Sequence, residues 1–389
     1  MKLQHGLHLA YCTNIHRGED WAQTFETLQR HTLAVRQQVC PDRPYAIGLR
    51  LSHQAAHELN EPATLKSFRR WLDQNQCYVF TINGFPYGAF HGTRVKELVY
   101  RPDWTTGERV EYTNVLFDLL VQLLPEGVDG SVSTVPGSFK EFVTNHAQVQ
   151  QMRKNIWRTV EHVARLSEQS GRDLHLGLEP EPLCYLETSL ETAEFFDRMR
   201  DDYPNEERLD WHLGVNYDAC HLAVEFEQPA AVLDRFRQHR IKVSKLHLSS
   251  ALKVHPTPDV RQALATFDDQ VYLHQVIEHG PSGALTRYRD LDLALQRSMQ
   301  SPTDPTVEWR IHFHIPLHSQ PSQLFNNTTT HLLELLNLLR AQPDLCHHLE
   351  METYTWEVLP PELKKRDVVD QLVAEYRWTL HHLQNLGLA

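Results

Sequence analysis

Short apolar runs alternating with helical patterns set the strongest limit on the fold. The first run, GLHLAYCTN (6–14), is followed by Trp21, Phe25, Leu28, Thr32, Val35 and Val39 at helical three- and four-residue spacing. Further runs follow at 45–52 (YAIGLRLS), 77–83 (CYVFTIN), 130–135 (GSVSTV), 174–179 (LHLGLE), 212–218 (HLGVNYD) and 242–249 (KVSKLHLS). Helical patterns between them fall near 111–124 and 141–169. One more is opened by the capping-box pair Thr188 and Glu191, and another by Pro229. Strand, helix, strand, helix is the mark of a parallel sheet. The number of units over 389 residues favours a closed (β/α)8 TIM barrel, read as one domain over 1–389.

The order loosens beyond Ser250. The region around 250–307 reads as an insertion, with VYLHQVI (271–277) as a possible extra strand. EWRIHFHIPL (308–317) then reads as a strand, 328–340 as a Leu-rich helix, HHLEMETYTW (347–356) as the last barrel strand, and 366–386 as a terminal helix. The nine strand candidates are one more than a barrel needs, and the surplus falls between 270 and 317.

Composition narrows the function. Hydrophobic residues make up 41%, enough for a large core, and the formal charge of −12 disfavours a nucleic-acid partner. Six cysteines without a C-x-x-C pair argue against a disulfide framework and for a reducing, cytoplasmic setting. The start of the chain has no signal-type apolar core, and no apolar run reaches the length of a membrane span. Histidine is abundant, with 25 residues. Imidazole is the commonest metal ligand.

Active sites of such barrels lie at the carboxyl ends of the strands. The fifth run ends in Glu179, with Glu181 two further on, and the sixth ends in Asp218, with His221 just beyond. His247 closes the seventh. His312 and His314 share one face of 308–317, and Glu350 and Glu352 share one face of the last strand. Carboxylates and imidazoles aimed at one point repel or lose solvation without a cation. A divalent metal resolves this, and Mn, Zn, Fe, Co and Mg all suit such donors. The structural alternatives are a hydrogen-bonded Asp218–His221 pair, a satisfied core histidine at 247 and a turn-shaping role for Glu181. The long loop 83–110 is a candidate lid, with Asn83, Phe85, Tyr87 and Phe90 over the substrate. Its Arg94, Lys96 and Arg101 are candidates for an anionic group or plain solvated charges.

The order Glu179, Asp218-x-x-His221, His247, Glu352 resembles the xylose isomerase-like barrel superfamily of sugar isomerases, ketose 3-epimerases and endonuclease IV relatives. The resemblance implies that Glu179, Asp218, His247 and Glu352 hold one metal. It also implies that Glu179 and Glu352 are catalytic and move a proton at the substrate carbon. His221, His312 and His314 then orient substrate or hold a second ion, and Asn83, Glu181, Phe85 and Tyr87 bind substrate. More narrowly, TINGFPYGAFHG, YLHQVI, EWRIHFHIPL and METYTWEVLP resemble the EboE family of metabolite-traffic proteins. That likeness implies a gene-cluster setting with other Ebo-cluster proteins, including a membrane prenyltransferase-like protein, as partners. Two departures matter. His312-x-His314 stands where endonuclease IV relatives have Asp-x-His. Pro180 follows Glu179 where xylose isomerases have Lys, which favours proton transfer over hydride shift. The expected function is a metal-dependent isomerase or epimerase of a small polyol or secondary-metabolite precursor. The alternatives are a non-catalytic metabolite-binding scaffold for export and a metal-dependent phosphoesterase of the endonuclease IV type.

Overall fold

The computed structural model describes residues 1–92, 94–299, 304–322, 324–360, 364 and 366–389. Residues 300–303 of the expected insertion lie outside the described residues. The first seven runs become β1 (His8–Tyr11), β2 (Tyr45–Arg50), β3 (Cys77–Asn83), β4 (Gly130–Thr134), β5 (Leu174–Leu178), β6 (Leu213–Asp218) and β7 (Lys242–Leu248). Five short strands follow: β8 (Ala251–Val254), β9 (Val276–His279), β10 (Leu285–Tyr288), β11 (Glu308–His314) and β12 (Asn326–Asn327). β13 (His348–Met351) returns to the first sheet.

The eight long-range parallel partners run in the order β1-β13-β7-β6-β5-β4-β3-β2. A parallel bridge from Cys12 to Gly48 joins the two edge strands, so the barrel is nearly closed. Helices lie between the strands, among them Gly107–Leu123, His146–Ser170, Ser189–Asp202, Pro229–Gln238, Thr329–Ala341 and Val368–Asn385. The capping box at Thr188 is formed: its hydroxyl oxygen accepts the Glu191 N–H, and the Glu191 carboxylate accepts the Thr188 N–H. Such a cap stabilises by about 1 kcal/mol. The helical stretch behind β1 is interrupted by a π turn at Leu28–Thr32.

The strand at 308–314 is not a barrel strand. β11 pairs antiparallel with β8 and β9 in a separate five-stranded sheet of order β10-β9-β11-β8-β12. The insertion therefore runs past 307 to Asn327, and its segment 271–277 enters a strand only at Val276. Alternation within one run does not reveal the direction of its partner, which is why β11 reads like a barrel strand.

Unusually polar side chains fill the barrel interior. Lys245 of β7 donates to Ser133 of β4, His348 of β13 meets Ser131 of β4, and His175 of β5 meets Ser244 of β7. None of these strand pairs is adjacent, so the bonds cross the interior. The apolar residues alternate outward: Leu174, Leu176 and Leu178 flank His175 and Gly177 and are fully buried. They pack beneath helices, and each such side chain contributes roughly 1.5–3 kcal/mol.

Two consequences can be measured. A Cβ at Gly48 would lie 2.0 Å from the Glu350 carboxylate and 2.7 Å from the Tyr11 carbonyl oxygen. Backbone cannot yield as a side chain can, so Gly48→Ala is expected to cost about 3 kcal/mol in denaturant unfolding. Glu375 is fully buried, and burial pushes its carboxyl up to about 7 despite the Leu317 N–H and Thr353 hydroxyl that it accepts. A raised acid contributes stability that is complete below its unfolded pKa and lost as pH climbs through 7. Wild-type stability minus that of Glu375→Gln should therefore fall by about 3 kcal/mol between pH 4 and pH 8.

Candidate metal centre

The carboxyl ends of β5, β6, β7 and β13 bring four side chains together. One ligand atom from each of Glu179, Asp218, His247 and Glu352 lies within 4.8 Å of the others, and all four residues are buried. His247 Nδ1 is the hub. It stands 3.0 Å from Glu179 Oε1, 3.2 Å from Glu352 Oε2 and 3.3 Å from Asp218 Oδ2. One ring nitrogen has at most one proton to offer three carboxylates.

The other face of that ring is fixed. His247 Nε2 is 2.8 Å from Glu350 Oε2, and Lys245 Nζ donates to the same oxygen at 2.6 Å. Burial works against the Glu350 anion, but Lys245 and His247 bring its pKa down to about 2. The pair Glu350 and Glu352 thus divides its work. Glu352 faces the cluster, and Glu350 lies one layer deeper behind the imidazole. Burial likewise opposes charge on His247, yet Glu352 and Glu179 hold its pKa well above the ordinary range. Asp218 is driven up by burial but held well below the usual carboxylate range by His221 and His247.

Donor atoms remain unused. Glu179 Oε2 and Asp218 Oδ2 are buried with no hydrogen-bond partner. Metal bonds of about 2.0–2.2 Å at angles between octahedral and tetrahedral set neighbouring donors roughly 2.8–3.6 Å apart. The three distances around His247 fall in that window. The orphaned oxygens, the spacing and the carboxylate–imidazole–carboxylate relay all fit a divalent cation. The other carboxylate oxygen of Glu352 accepts from Asn14 at 2.8 Å and Asn83 at 3.2 Å.

A group of imidazoles sits beside this centre. His221, His312 and His314 have ring centroids 4.6–5.5 Å apart. Their Nδ1 atoms each meet a carbonyl oxygen: Pro180 for His221, the Gln275 side chain for His312 and Glu352 for His314. His312 Nε2 lies 3.4 Å from the Tyr354 hydroxyl, whereas that of His314 has no partner. Burial lowers His221 to about 4 and holds His312 well below its ordinary value. Asp218, His221 and His314 offer three donors within 4.8 Å, as do Glu181, His221 and His312.

Above the centre lies a pocket lined by Asn14, Asn83, Phe85, Glu181 and, from the centre itself, Glu179 and Glu352. Phe90, Tyr100, Tyr272 and Tyr354 also line it. Phe90 packs 5.2 Å from Tyr272 and 5.3 Å from Tyr354. Burial and the neighbouring Glu179 push the Glu181 carboxyl well up, although the Tyr100 hydroxyl donates to it at 2.6 Å.

Tyr87 corrects the sequence reading. It does not line the pocket but stacks on His53 at 4.6 Å and packs edge-on to Tyr112. Arg94 is exposed, Arg101 covers the Phe142 ring at 4.1 Å, and Lys96 pairs with Asp290 at 2.6 Å. Sequence reasoning missed Asn14, Tyr100, Lys245, Gln275 and Tyr354. The signal for Lys245 was present: it is a charge in the middle of a strand, between Val243 and Leu246 and well away from either end.

No family model matches this chain, and no curated relative matches it. Solved structures do. An L-ribulose 3-epimerase matches at 12% identity over 99% of this chain and 96% of its own, with a TM-score of 0.51. A D-tagatose 3-epimerase-like protein matches at 12% over 97% of both chains, with a TM-score of 0.50. A xylose isomerase-like TIM barrel protein from Mycobacterium smegmatis, in complex with magnesium, matches at 13% over 91% and 87%, with a TM-score of 0.48. The likeness to the first two shows the fold, a TIM barrel.

Loss of the Glu350 anchor should weaken metal binding while leaving the four donors in place. Calorimetric titration of Mn²⁺ or Zn²⁺ into chelator-treated Glu350→Gln is expected to show a 10–100-fold higher Kd than wild type. Equal affinities would remove the anchoring role.

Proposed function

We propose that this barrel is a metal-dependent isomerase or epimerase of a small polyol or sugar-like precursor of a secondary metabolite. The convergence of Glu179, Asp218 and Glu352 on His247 Nδ1 carries this reading. A divalent ion on these four residues supplies Lewis-acid polarisation of a substrate carbonyl. Glu179 and Glu352 then exchange a proton with the neighbouring carbon. They are unequal partners. Glu179 Oε2 has no hydrogen-bond partner, whereas Asn14 and Asn83 hold Glu352 Oε1. Glu179 is therefore the better placed to take the proton, and the two amides keep Glu352 oriented.

The aromatic roof excludes water and limits size. Among the described residues lining the pocket, Lys96 is the cationic one, and Asp290 neutralises it. This favours a neutral, hydroxyl-rich substrate. Pro180 in place of Lys after Glu179 supports proton transfer over hydride shift.

A second reading is phosphoester hydrolysis of the endonuclease IV type. The grouping of Asp218 with His221 and His314 favours it, since these three could hold a second ion. The neutralised lining speaks against it. The narrower setting, a cytoplasmic step in an Ebo-type metabolite traffic pathway with other Ebo-cluster proteins, including a membrane prenyltransferase-like one, rests on the resemblance of the quoted segments. No described helix is long and apolar enough to cross a membrane. A non-catalytic scaffold is the remaining alternative.

The test is hydrogen exchange. Protein stripped of metal and refilled with Mn²⁺ or Zn²⁺ is incubated with a ketose panel in D₂O. One deuterium is expected at the carbon beside the carbonyl, with inversion, and Glu179→Gln should lower the rate by about 10³-fold. Binding without exchange would leave the scaffold role, and cleavage of a phosphodiester dependent on His314 would favour the second reading.

A further inference from the structure

The opposite, amino-terminal pole of the barrel holds another converging group. Asp129 immediately precedes β4, His175 is the second residue of β5, and His348 is the first of β13. One donor atom from each lies within 4.8 Å of the others. His175 Nε2 is 3.3 Å from Asp129 Oδ2, and His348 Nε2 is 3.3 Å from Asp129 Oδ1. Both imidazoles are buried, and Asp129 is a quarter exposed.

The far nitrogen of each ring is committed. His175 Nδ1 is 2.6 Å from Ser244 Oγ, and His348 Nδ1 is 2.7 Å from Ser131 Oγ. Ser131 is held in turn by Thr81 at 2.7 Å. The rings are therefore locked with both Nε2 atoms turned toward one carboxylate. Charge-assisted N–H···O bonds are shorter, roughly 2.7–2.9 Å. His175 Nε2 keeps a long hydrogen bond to Asp129 at 3.3 Å, whereas His348 Nε2, at the same distance, meets the carboxylate without hydrogen-bond geometry. A buried polar atom left without a partner is costly and calls for a physical reason.

An ion supplies that reason. Zinc bonds of about 2.0–2.1 Å at tetrahedral angles place neighbouring donors roughly 3.3 Å apart. Two imidazoles and a carboxylate, oriented by hydroxyls on the far nitrogens, suit zinc among the common divalent ions. The exposed edge of Asp129 gives an ion access. The cleft lined by His8, Tyr78 and Val128, the residue before Asp129, opens beside it.

We propose that Asp129, His175 and His348 form a structural zinc site that clamps the start of β4 to the starts of β5 and β13. β13 and β5 are separated by β6 and β7 in the sheet, so the clamp spans the barrel floor. At this pole of a barrel such a site serves stability rather than chemistry. It shares no residue with the candidate metal centre and does not depend on the function proposed for it.

Crystals of the full chain loaded with Zn²⁺ and measured at the zinc edge provide the test. An anomalous peak is expected about 2.0–2.2 Å from Asp129, His175 Nε2 and His348 Nε2. In solution, Asp129→Asn should hold one zinc ion fewer per chain than wild type and lose part of the zinc-dependent rise in melting temperature. The zinc at His247 should remain. No peak at this pole while the His247 centre is filled would overturn the proposal, as would equal zinc content in the variant. Should Asp129→Asn not fold, the anomalous map of the wild type decides alone.

Discussion

Three carboxylates share one imidazole nitrogen in this protein, and much of the barrel interior is arranged to make that possible. His247 can present Nδ1 to Glu179, Asp218 and Glu352 only if its ring cannot turn. Glu350 fixes the ring from behind, and Lys245 fixes Glu350. Lys245 needs a further acceptor, which Ser133 provides from across the barrel. Glu350 needs room, which exists because position 48 lacks a Cβ. A buried pair such as Lys245–Glu350 is a weak source of stability, since desolvation offsets its attraction. Its value here is orientation.

The pocket is a composite. Its floor is barrel, but its wall and roof come from two additions. The insertion delivers His312 on β11 and Tyr272 from the segment before β9. The loop after β3 delivers Phe85 and Phe90. The two additions are tied together, because the N–H groups of Val95 and Lys96 donate to the Val271 carbonyl at 2.9 and 2.8 Å. The barrel thus positions the candidate metal donors, while these two segments shape the pocket above them. That division lets a common scaffold change substrate without disturbing its centre.

The sequence alone made the centre legible for a simple physical reason. In a parallel barrel, the strand ends gather at one rim, so Glu179, Asp218, His247 and the pair Glu350 and Glu352 could be placed there without knowing any angle. Asn83 followed from the same rule, and Phe85 from the aromatic composition of the loop behind it. Residues whose position depends on a partner were not legible. β11 resembles a barrel strand because its own alternation says nothing of antiparallel pairing with β8 and β9. Tyr87 was placed over the substrate from loop composition, yet its ring finds His53 and Tyr112 instead. Asn14 and Tyr354 lie just past strand ends, where irregular backbone decides their direction. Glu350 and Glu352 share a face in any strand, and only the lock on His247 separates their roles.

Both poles of the barrel obey one rule of construction. An imidazole is fixed through its far nitrogen, by Glu350 at the upper pole and by serine hydroxyls at the lower, so that its near nitrogen meets carboxylate oxygen. The difference lies in charge and space. The upper group gathers three carboxylates under an aromatic pocket, where a bound molecule can share the cation. The lower group has one carboxylate against two imidazoles and meets solvent only at the edge of Asp129. An ion in the upper group would be open to a molecule in the pocket above it. One in the lower group would be shut in among strand starts, so similar ligands would make an open centre at one pole and a rivet at the other.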